Sequence, residues 1–207
     1  MTNWHIVSGK NAATGEQDEP EVPDELIVHH HGQIFGQSVP RSEPLFDGGI
    51  RRWRQHPLHG HKVDVGVLPL SNVDEAILFY PYVLDAGPKM LIGPTDPLSV
   101  VGFPFGLSSA GLAIWATGFT ASEPDIDHTE LPLFLLDCRA RKGQSGSPVI
   151  AYRSAGAPFR LDDGGTMQVA APVFRLFGIY SGRVNSESDL GHVWKVSAIR
   201  STLLNGK

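Results

Sequence analysis

The chain has a single cysteine, Cys138, among its 207 residues, so it can form no internal disulfide. It has no long hydrophobic run either: the longest apolar stretch, residues 76–84, is too short to span a bilayer and is interrupted by Pro81. Basic residues number 17 against 22 acidic ones, and the formal net charge is −5. This composition lacks the excess of positive charge that is typical of proteins that bind nucleic acid or anionic membranes, so we expect neither as a partner.

The N-terminus, MTNWH, contains neither a basic region nor a long apolar region, and no signal peptide is visible in it. A genuine start at Met1 would make the protein cytoplasmic; otherwise the compartment stays open. The oligomeric state stays open as well.

Glycine and proline are abundant, at 23 and 16 residues, and 41% of the chain is hydrophobic. Many short apolar runs separated by turn residues favour an all-β barrel or sandwich. Residues 10–25 are polar and predict an exposed loop, and residues 71–88 predict a connection between domains spanning 1–85 and 86–207. The predicted strands cover residues 26–35, 50–53, 62–70, 98–103, 112–120, 133–138, 148–152, 168–174, 177–180 and 192–196, and a short helix is predicted over 197–204.

The segment GQSGSPVI, residues 143–150, places a serine between glycines and then enters a β-branched pair. Gly143 allows a turn in which backbone amides point inward, and Pro148 excludes a continuing helix interior. Ser145 on such a turn is a candidate nucleophile that needs a base and an oxyanion site.

Two other residues supply candidates for the base and its partner. His5 lies in TNWHIVSG, where the pattern predicts the end of a strand followed by a turn, and Asp64 lies inside the apolar strand predicted over residues 62–70. A buried aspartate needs partners, and a histidine N–H is one that also fixes the tautomer required to take a proton from serine. The rival acid, Asp47, lies beside two glycines in a turn, so Asp64 is favoured.

Three segments occur in the order histidine, aspartate, serine: residues 2–9, DVGVL at 64–68 and GQSGSP at 143–148. Together they resemble the signature segments of trypsin-like (chymotrypsin-fold) serine proteases, with the closest likeness to bacterial members such as the high-temperature-requirement proteases. Two further segments, GFPFGL at 102–107 and GIYSG at 178–182, are similar to a strand-turn of the second barrel and to the strand that pairs with the substrate backbone in that family.

The resemblance implies an all-β fold of two antiparallel six-stranded-type barrels with a short C-terminal helix. It implies a serine endopeptidase that hydrolyses peptide bonds of peptide or protein substrates through an acyl-enzyme, without a cofactor. Ser145 would be the nucleophile, His5 the general base and then acid, and Asp64 the orienting carboxylate. The amides of Gly143 and Ser145 would form the oxyanion hole. The residues implied to hold the substrate by strand addition are Tyr180, Ser181 and Gly182.

The chain departs from the family at two places. Family members have several strands before the catalytic histidine, so the first barrel is expected to be incomplete in this sequence, and we expect the true start to lie upstream of Met1. Gln144 also occupies the place where digestive members carry an aspartate that pairs with a freed N-terminus, so activation by that route is not expected.

Other functions fit the sequence less well. The α/β-hydrolase elbow fails because Ser147 stands at its fifth position, Pro148 follows where a helix should begin, and that fold places its histidine last. Residues 29–31 are a histidine run, and His56, His59 and His61 form a second group, but neither has the partners of a zinc site, so no metal is expected. A catalytically impaired, protease-like peptide-binding module is the alternative function, and an esterase is the third.

Overall fold

The computed structural model of the protein describes residues 1–17 and 22–207. Residues 18–21, which belong to the predicted loop over 10–25, lie outside the described residues. The chain forms two compact units, and neither is continuous in sequence. The first comprises Met1–Pro81, Ser108–Ala113 and Ala198–Lys207, and the second comprises Tyr82–Leu107 and Ile114–Ser197. The domain boundary predicted at residue 85 stays a prediction.

The first unit begins with a short helix, α1 (Trp4–Ser8), and continues with paired strands. Strands β1 (Glu25–His31) and β2 (Ser38–Pro44) form an antiparallel ribbon, and β3 (Phe46–Asp47) pairs with β4 (Ile50–Arg51). The strands described in this unit form two-stranded sheets. Its core packs Trp4 and Val7 of α1 against Leu45, Trp53 and Leu68.

Six strands of the second unit close into a barrel in which every neighbouring pair is antiparallel. The elements of this unit are β5 (Pro97–Gly102), a 3-10 turn (Pro104–Gly106), β6 (Ile114–Thr120), β7 (Leu133–Asp137), β8 (Pro148–Arg153), β9 (Phe159–Arg160), β10 (Thr166–Met167), β11 (Val173–Arg183) and β12 (Leu190–Lys195). The barrel order is β11-β12-β7-β6-β5-β8, and β9 pairs with β10 beside it. Buried aliphatic and aromatic side chains from alternate strand positions fill the barrel.

The last element is helix α2 (Val196–Asn205), which agrees with the helix predicted near the C-terminus. The predicted fold class, all-β with a closed six-stranded barrel and a short C-terminal helix, is confirmed, whereas the described strands of the first unit, predicted as an incomplete barrel, form two-stranded sheets. No helix among the described residues is long and apolar enough to cross a membrane.

Two local predictions around the candidate site are wrong. Residues 4–8 are helical, whereas a strand end was predicted at His5. Residues 62–70 are not a strand; only Gly66 and Val67 make isolated bridges, to Thr2 and Arg54. The backbone turns sharply at Asp64, because the amide of Val65 donates to the carbonyl oxygen of Val63 at 2.7 Å across a three-residue turn.

Candidate active site

His5 lies in the first turn of α1, a helix too short to be stable without support from its surroundings. Asn3 is the N-cap residue, but its side chain makes no capping hydrogen bond. The helix ends at Gly9, whose φ of 67° lies in the left-handed region and whose amide donates to the carbonyl oxygen of His5 at 3.0 Å. Trp4 and Val7 are buried, while the His5 side chain remains 30% exposed.

Asp64 caps α1 and contacts the histidine ring with the same carboxylate. Its Oδ1 accepts the backbone N–H of His5 at 2.9 Å, and its Oδ2 lies 2.8 Å from His5 Nδ1. The first amides of a helix have no partner within the helix, so one carboxylate oxygen satisfies one of them. The Asp64 side chain is almost completely buried, and its carbonyl oxygen accepts the side-chain amide of Asn3 at 2.8 Å.

This contact determines which ring nitrogen carries the proton. An ionised carboxylate only accepts hydrogen bonds, so Nδ1 must be the protonated nitrogen of a neutral His5 ring. The lone pair then lies on Nε2, which is the arrangement that a general base needs. The structure therefore brings together the predicted base and its predicted orienting acid. Asp47, the rival acid, is exposed at the end of β3.

A second contact holds α1 from its other side. The Trp4 indole Nε1 donates to Gln55 Oε1 at 2.9 Å, and the backbone of Gln55 pairs with Lys207 through two hydrogen bonds of 3.1 and 3.3 Å. The Trp4 ring also packs edge-on against Trp53. The sequence gives no local signal for this support, because the partners are separated by up to about 200 residues along the chain.

Ser145 lies in the second unit, on a turn held by hydrogen bonds to β11. The amide of Gly146 donates to the carbonyl oxygen of Tyr180 at 2.8 Å, and the amide of Tyr180 donates to the carbonyl oxygen of Ser147 at 2.9 Å. Gly146 has a φ of 79°, which a glycine adopts without strain. The serine is thus fixed at the point where the chain enters β8.

Position 143 requires glycine for two reasons: the backbone has a positive φ, and there is no room for a side chain. Its φ is 92°, and a Cβ at this position would lie 2.7 Å from the carbonyl oxygen of Phe103. A hydrogen bond holds these two backbone segments together: the amide of Phe105 donates to the carbonyl oxygen of Lys142 at 2.7 Å. The glycine-rich turn predicted from the sequence is therefore present, and the segment at 102–107 packs against it.

Within the described structure, neither the amide of Gly143 nor that of Ser145 donates a hydrogen bond to a protein acceptor. Two amides two residues apart on a fixed turn are suited to binding an oxygen that acquires negative charge. Ser145 itself is only partly exposed. The oxyanion hole at these two amides stays a prediction.

Gln144 fixes the turn from inside the barrel unit, a role that its sequence position alone did not reveal. Its side chain is fully buried, and its Oε1 accepts the backbone N–H of Arg141 at 2.7 Å. Its own amide donates to the carbonyl oxygen of Arg141, and its carbonyl oxygen accepts the amide of Ser147 at 3.0 Å. The Nε2 group is buried with no hydrogen-bond partner among the described residues.

The three residues predicted to hold the substrate lie together in β11, where the register shifts between Tyr180 and Arg183. Tyr180 differs from the other two, because its backbone N–H and C=O are both bonded to the Ser145 turn. Its ring is buried, and desolvation raises the pKa of its hydroxyl to about 12. Ser181 and Gly182 are partly exposed, and Gly182 has a φ of 106°.

The histidine groups have other contacts. His29 Nδ1 lies 2.9 Å from Ser38 Oγ, and His61 Nδ1 lies 2.9 Å from the carbonyl oxygen of Ala12. The ring of His56 lies 5.1 Å from that of His59, and burial, followed by the charge of His59, lowers the His56 pKa. Across the part of the chain that the structure describes, no three side chains of the usual ligand types are placed to hold a metal ion.

No family model and no curated protein matches the chain. Two solved structures of Rv3671c from M. tuberculosis H37Rv, one an inactive-form serine-to-alanine mutant and one described as the protease in an inactive form, are similar at 17% identity and a TM-score of 0.37. The alignments cover 62% of this chain but only 54% and 56% of those chains. The assignment of a function therefore depends on this chain's own residues.

Proposed function

We propose that the protein is a serine endopeptidase of trypsin-like type that hydrolyses peptide bonds through an acyl-enzyme. The observation that carries this proposal is the contact of the buried Asp64 carboxylate with both the backbone N–H and Nδ1 of His5. A structural histidine needs only one hydrogen-bond partner, whereas this carboxylate fixes both the position and the tautomer of the ring.

In the proposed reaction, His5 Nε2 takes the proton of Ser145 Oγ as the oxygen attacks the substrate carbonyl carbon. The C=O double bond becomes a C–O⁻ single bond, and the oxyanion binds the amides of Gly143 and Ser145. The imidazolium then protonates the leaving amine as the C–N bond breaks, and an acyl-enzyme remains. Water, deprotonated by His5, releases the acid and restores the hydroxyl. Each oxyanion-hole donor contributes about 3 kcal/mol to stabilisation of the transition state.

The substrate backbone is proposed to add as a strand beside β11 at Ser181 and Gly182. Tyr180 belongs to the same strand, but its backbone groups are bonded to the nucleophile turn. We therefore assign Tyr180 to aligning the turn with the substrate strand.

A fluorophosphonate probe tests the nucleophile without any knowledge of substrate preference. We expect covalent labelling of the folded chain at Ser145, located by mass spectrometry, with loss of labelling in Ser145→Ala. The neighbouring Ser147→Ala is the matched control and should still be labelled. Labelling that persists in Ser145→Ala would refute the assignment.

The same experiment separates the proposal from the alternative functions. A folded chain that binds peptides but is never labelled would be a protease-like binding module. A labelled chain that cleaves simple esters but no member of a peptide library would be an esterase. Thermal unfolding measured on the same samples establishes that an unlabelled chain is folded.

A further inference from the structure

The second unit contains a cavity of about 690 Å³ that includes none of the proposed catalytic residues. It lies between the segment that leads into β5 and the segment that joins β8 to β9. Its volume is within the range of small-molecule sites, about 300–1,000 Å³. The proposed peptidase reaction assigns no role to it.

The cavity wall carries two arginines without acidic partners. Across the described residues, no carboxylate lies within ion-pair distance of Arg153 or Arg160. Arg153 Nη1 donates to the carbonyl oxygen of its neighbour Tyr152 at 2.9 Å, and a guanidinium has four further N–H donors. Both arginines line the same cavity, although the chain as a whole has a net charge of −5. The wall therefore offers a donor-rich, positively charged surface.

One acid, Asp96, also lines the cavity. Its Oδ2 accepts the amide of Gly93 at 2.9 Å, so the carboxylate is held by the backbone on its own side of the cavity. The three charged side chains of the wall leave a net charge of +1. This balance fits a ligand with one negative charge better than one with two.

Apolar side chains also line the wall, together with polar groups such as Ser154. Phe159 and three prolines line it, as does Tyr152, against which the Trp115 ring packs edge-on with centroids 5.7 Å apart. Proline and aromatic walls favour a ligand with an apolar body, since they present few polar groups that need hydrogen bonds.

We propose that this cavity is a second binding site, which takes an organic carboxylate with an apolar body. The guanidinium groups of Arg153 and Arg160 bind the carboxylate oxygens, a pairing for which the planar fork of arginine is suited. The apolar body lies against Tyr152 and the prolines. A free aromatic acid and the C-terminal carboxylate of a peptide share this chemistry.

Calorimetry on the full chain tests the site with N-acetylphenylalanine and its neutral amide. We expect the acid to bind at millimolar concentration or below, more weakly at high salt, and the amide to bind about tenfold more weakly. Inorganic phosphate should bind more weakly than the acid, because its second charge is opposed by Asp96. Equal binding of acid and amide, or no binding of the acid, would overturn the proposal.

Charge variants locate the binding. Arg153→Gln and Arg160→Gln should each weaken the acid about tenfold, and Asp96→Asn should tighten it severalfold while its side-chain oxygen still accepts the amide of Gly93. Arg183→Gln removes an exposed arginine next to Gly182. This variant should weaken binding only if the acid binds at the proposed substrate strand and not in the cavity. If Arg183→Gln abolishes binding while the cavity variants have no effect, the proposed site is wrong.

The source of the carboxylate is tested with N-acetyl-Ala-Pro-Phe as free acid and as amide. Tighter binding of this acid than of N-acetylphenylalanine indicates a peptide C-terminus, and weaker binding indicates a small free acid. Thermal unfolding curves establish that each variant is folded. The test does not use Ser145, so it gives the same answer in Ser145→Ala, whether or not the protein proves to be a peptidase.

Discussion

Replacement of Asp64 by asparagine tests the central contact of the proposed site, because asparagine keeps the shape of aspartate but has one acceptor oxygen. The wild-type carboxylate accepts two hydrogen bonds from His5, one from the backbone N–H at 2.9 Å and one at Nδ1, at 2.8 Å. Asparagine can accept only one of them, and its NH₂ group must face the other.

The two orientations of the asparagine differ in cost. If the NH₂ group faces the backbone N–H of His5, two donors oppose each other at a buried site, which costs about 1–3 kcal/mol. If it faces the ring, Nδ1 can accept and the ring proton moves to Nε2. The second orientation is therefore favoured, and it leaves Nε2 of His5 protonated and without a lone pair to accept a proton.

We expect Asp64→Asn to slow fluorophosphonate labelling of Ser145 about 10⁴-fold at neutral pH, the size of effect that an inverted tautomer has in Ser-His-Asp enzymes. The second-order labelling rate constant is the measurement. Nitrogen-15 chemical shifts of the His5 ring provide an independent test, since they distinguish protonation at Nδ1 from protonation at Nε2.

Asp47→Asn is the matched control, because Asp47 is the rival acid and is exposed. Its labelling rate should equal that of the wild type. Labelling of Asp64→Asn within about tenfold of the wild type would refute the reasoning, as would an unchanged tautomer. So would a comparable loss in the control.

Three further predictions concern the nucleophile turn and the first unit. Gly143→Ala should slow labelling about 10²-fold or more, because its Cβ would lie 2.7 Å from the carbonyl oxygen of Phe103 and displace an oxyanion donor. Gln144→Leu should slow labelling about tenfold, since the amide of Arg141 loses its acceptor. For Glu43, burial raises the pKa, but hydrogen bonds from backbone amides and a hydroxyl lower it below the ordinary 4.5 overall. Its stabilising contribution is complete above that pH and lost as the pH falls below it, so Glu43→Gln should weaken the acid dependence of thermal unfolding.

The strands of the barrel were largely predictable because each is a short apolar run between clear turns, although β5 and β8 are buried at three consecutive positions and do not alternate. The exception is β11, for which two strands, 168–174 and 177–180, were predicted and one strand, Val173–Arg183, is present. Gly178 lies where the register with β8 shifts, and its Cα approaches the carbonyl oxygen of Trp194 too closely for any side chain. A glycine that permits close packing within a bulged strand is indistinguishable in sequence from one that ends a strand.

The residues around Asp64 show the opposite error. Val63, Val65 and Val67 alternate as in a strand, yet the segment turns at Asp64. All six residues from 63 to 68 are buried, Asp64 and Gly66 included, in an irregular segment whose bridges go to Thr2 and Arg54. The alternation of valines with other residues therefore does not separate a buried face from an exposed one, and burial does not require an extended backbone.

The pairing of His5 with Asp64 was predictable for a different reason, which is chemical and not periodic. A buried carboxylate must have donors, and the first turn of α1 provides two of them in one residue, a backbone N–H and a ring N–H. The helix is only five residues long, so no periodicity reveals it, and its stability depends on Asp64 at its start and on the Trp4–Gln55 contact at its side. The residue that orients the proposed base therefore also forms the helix that carries it, so the ring and its carboxylate are positioned by the same interactions before any substrate binds.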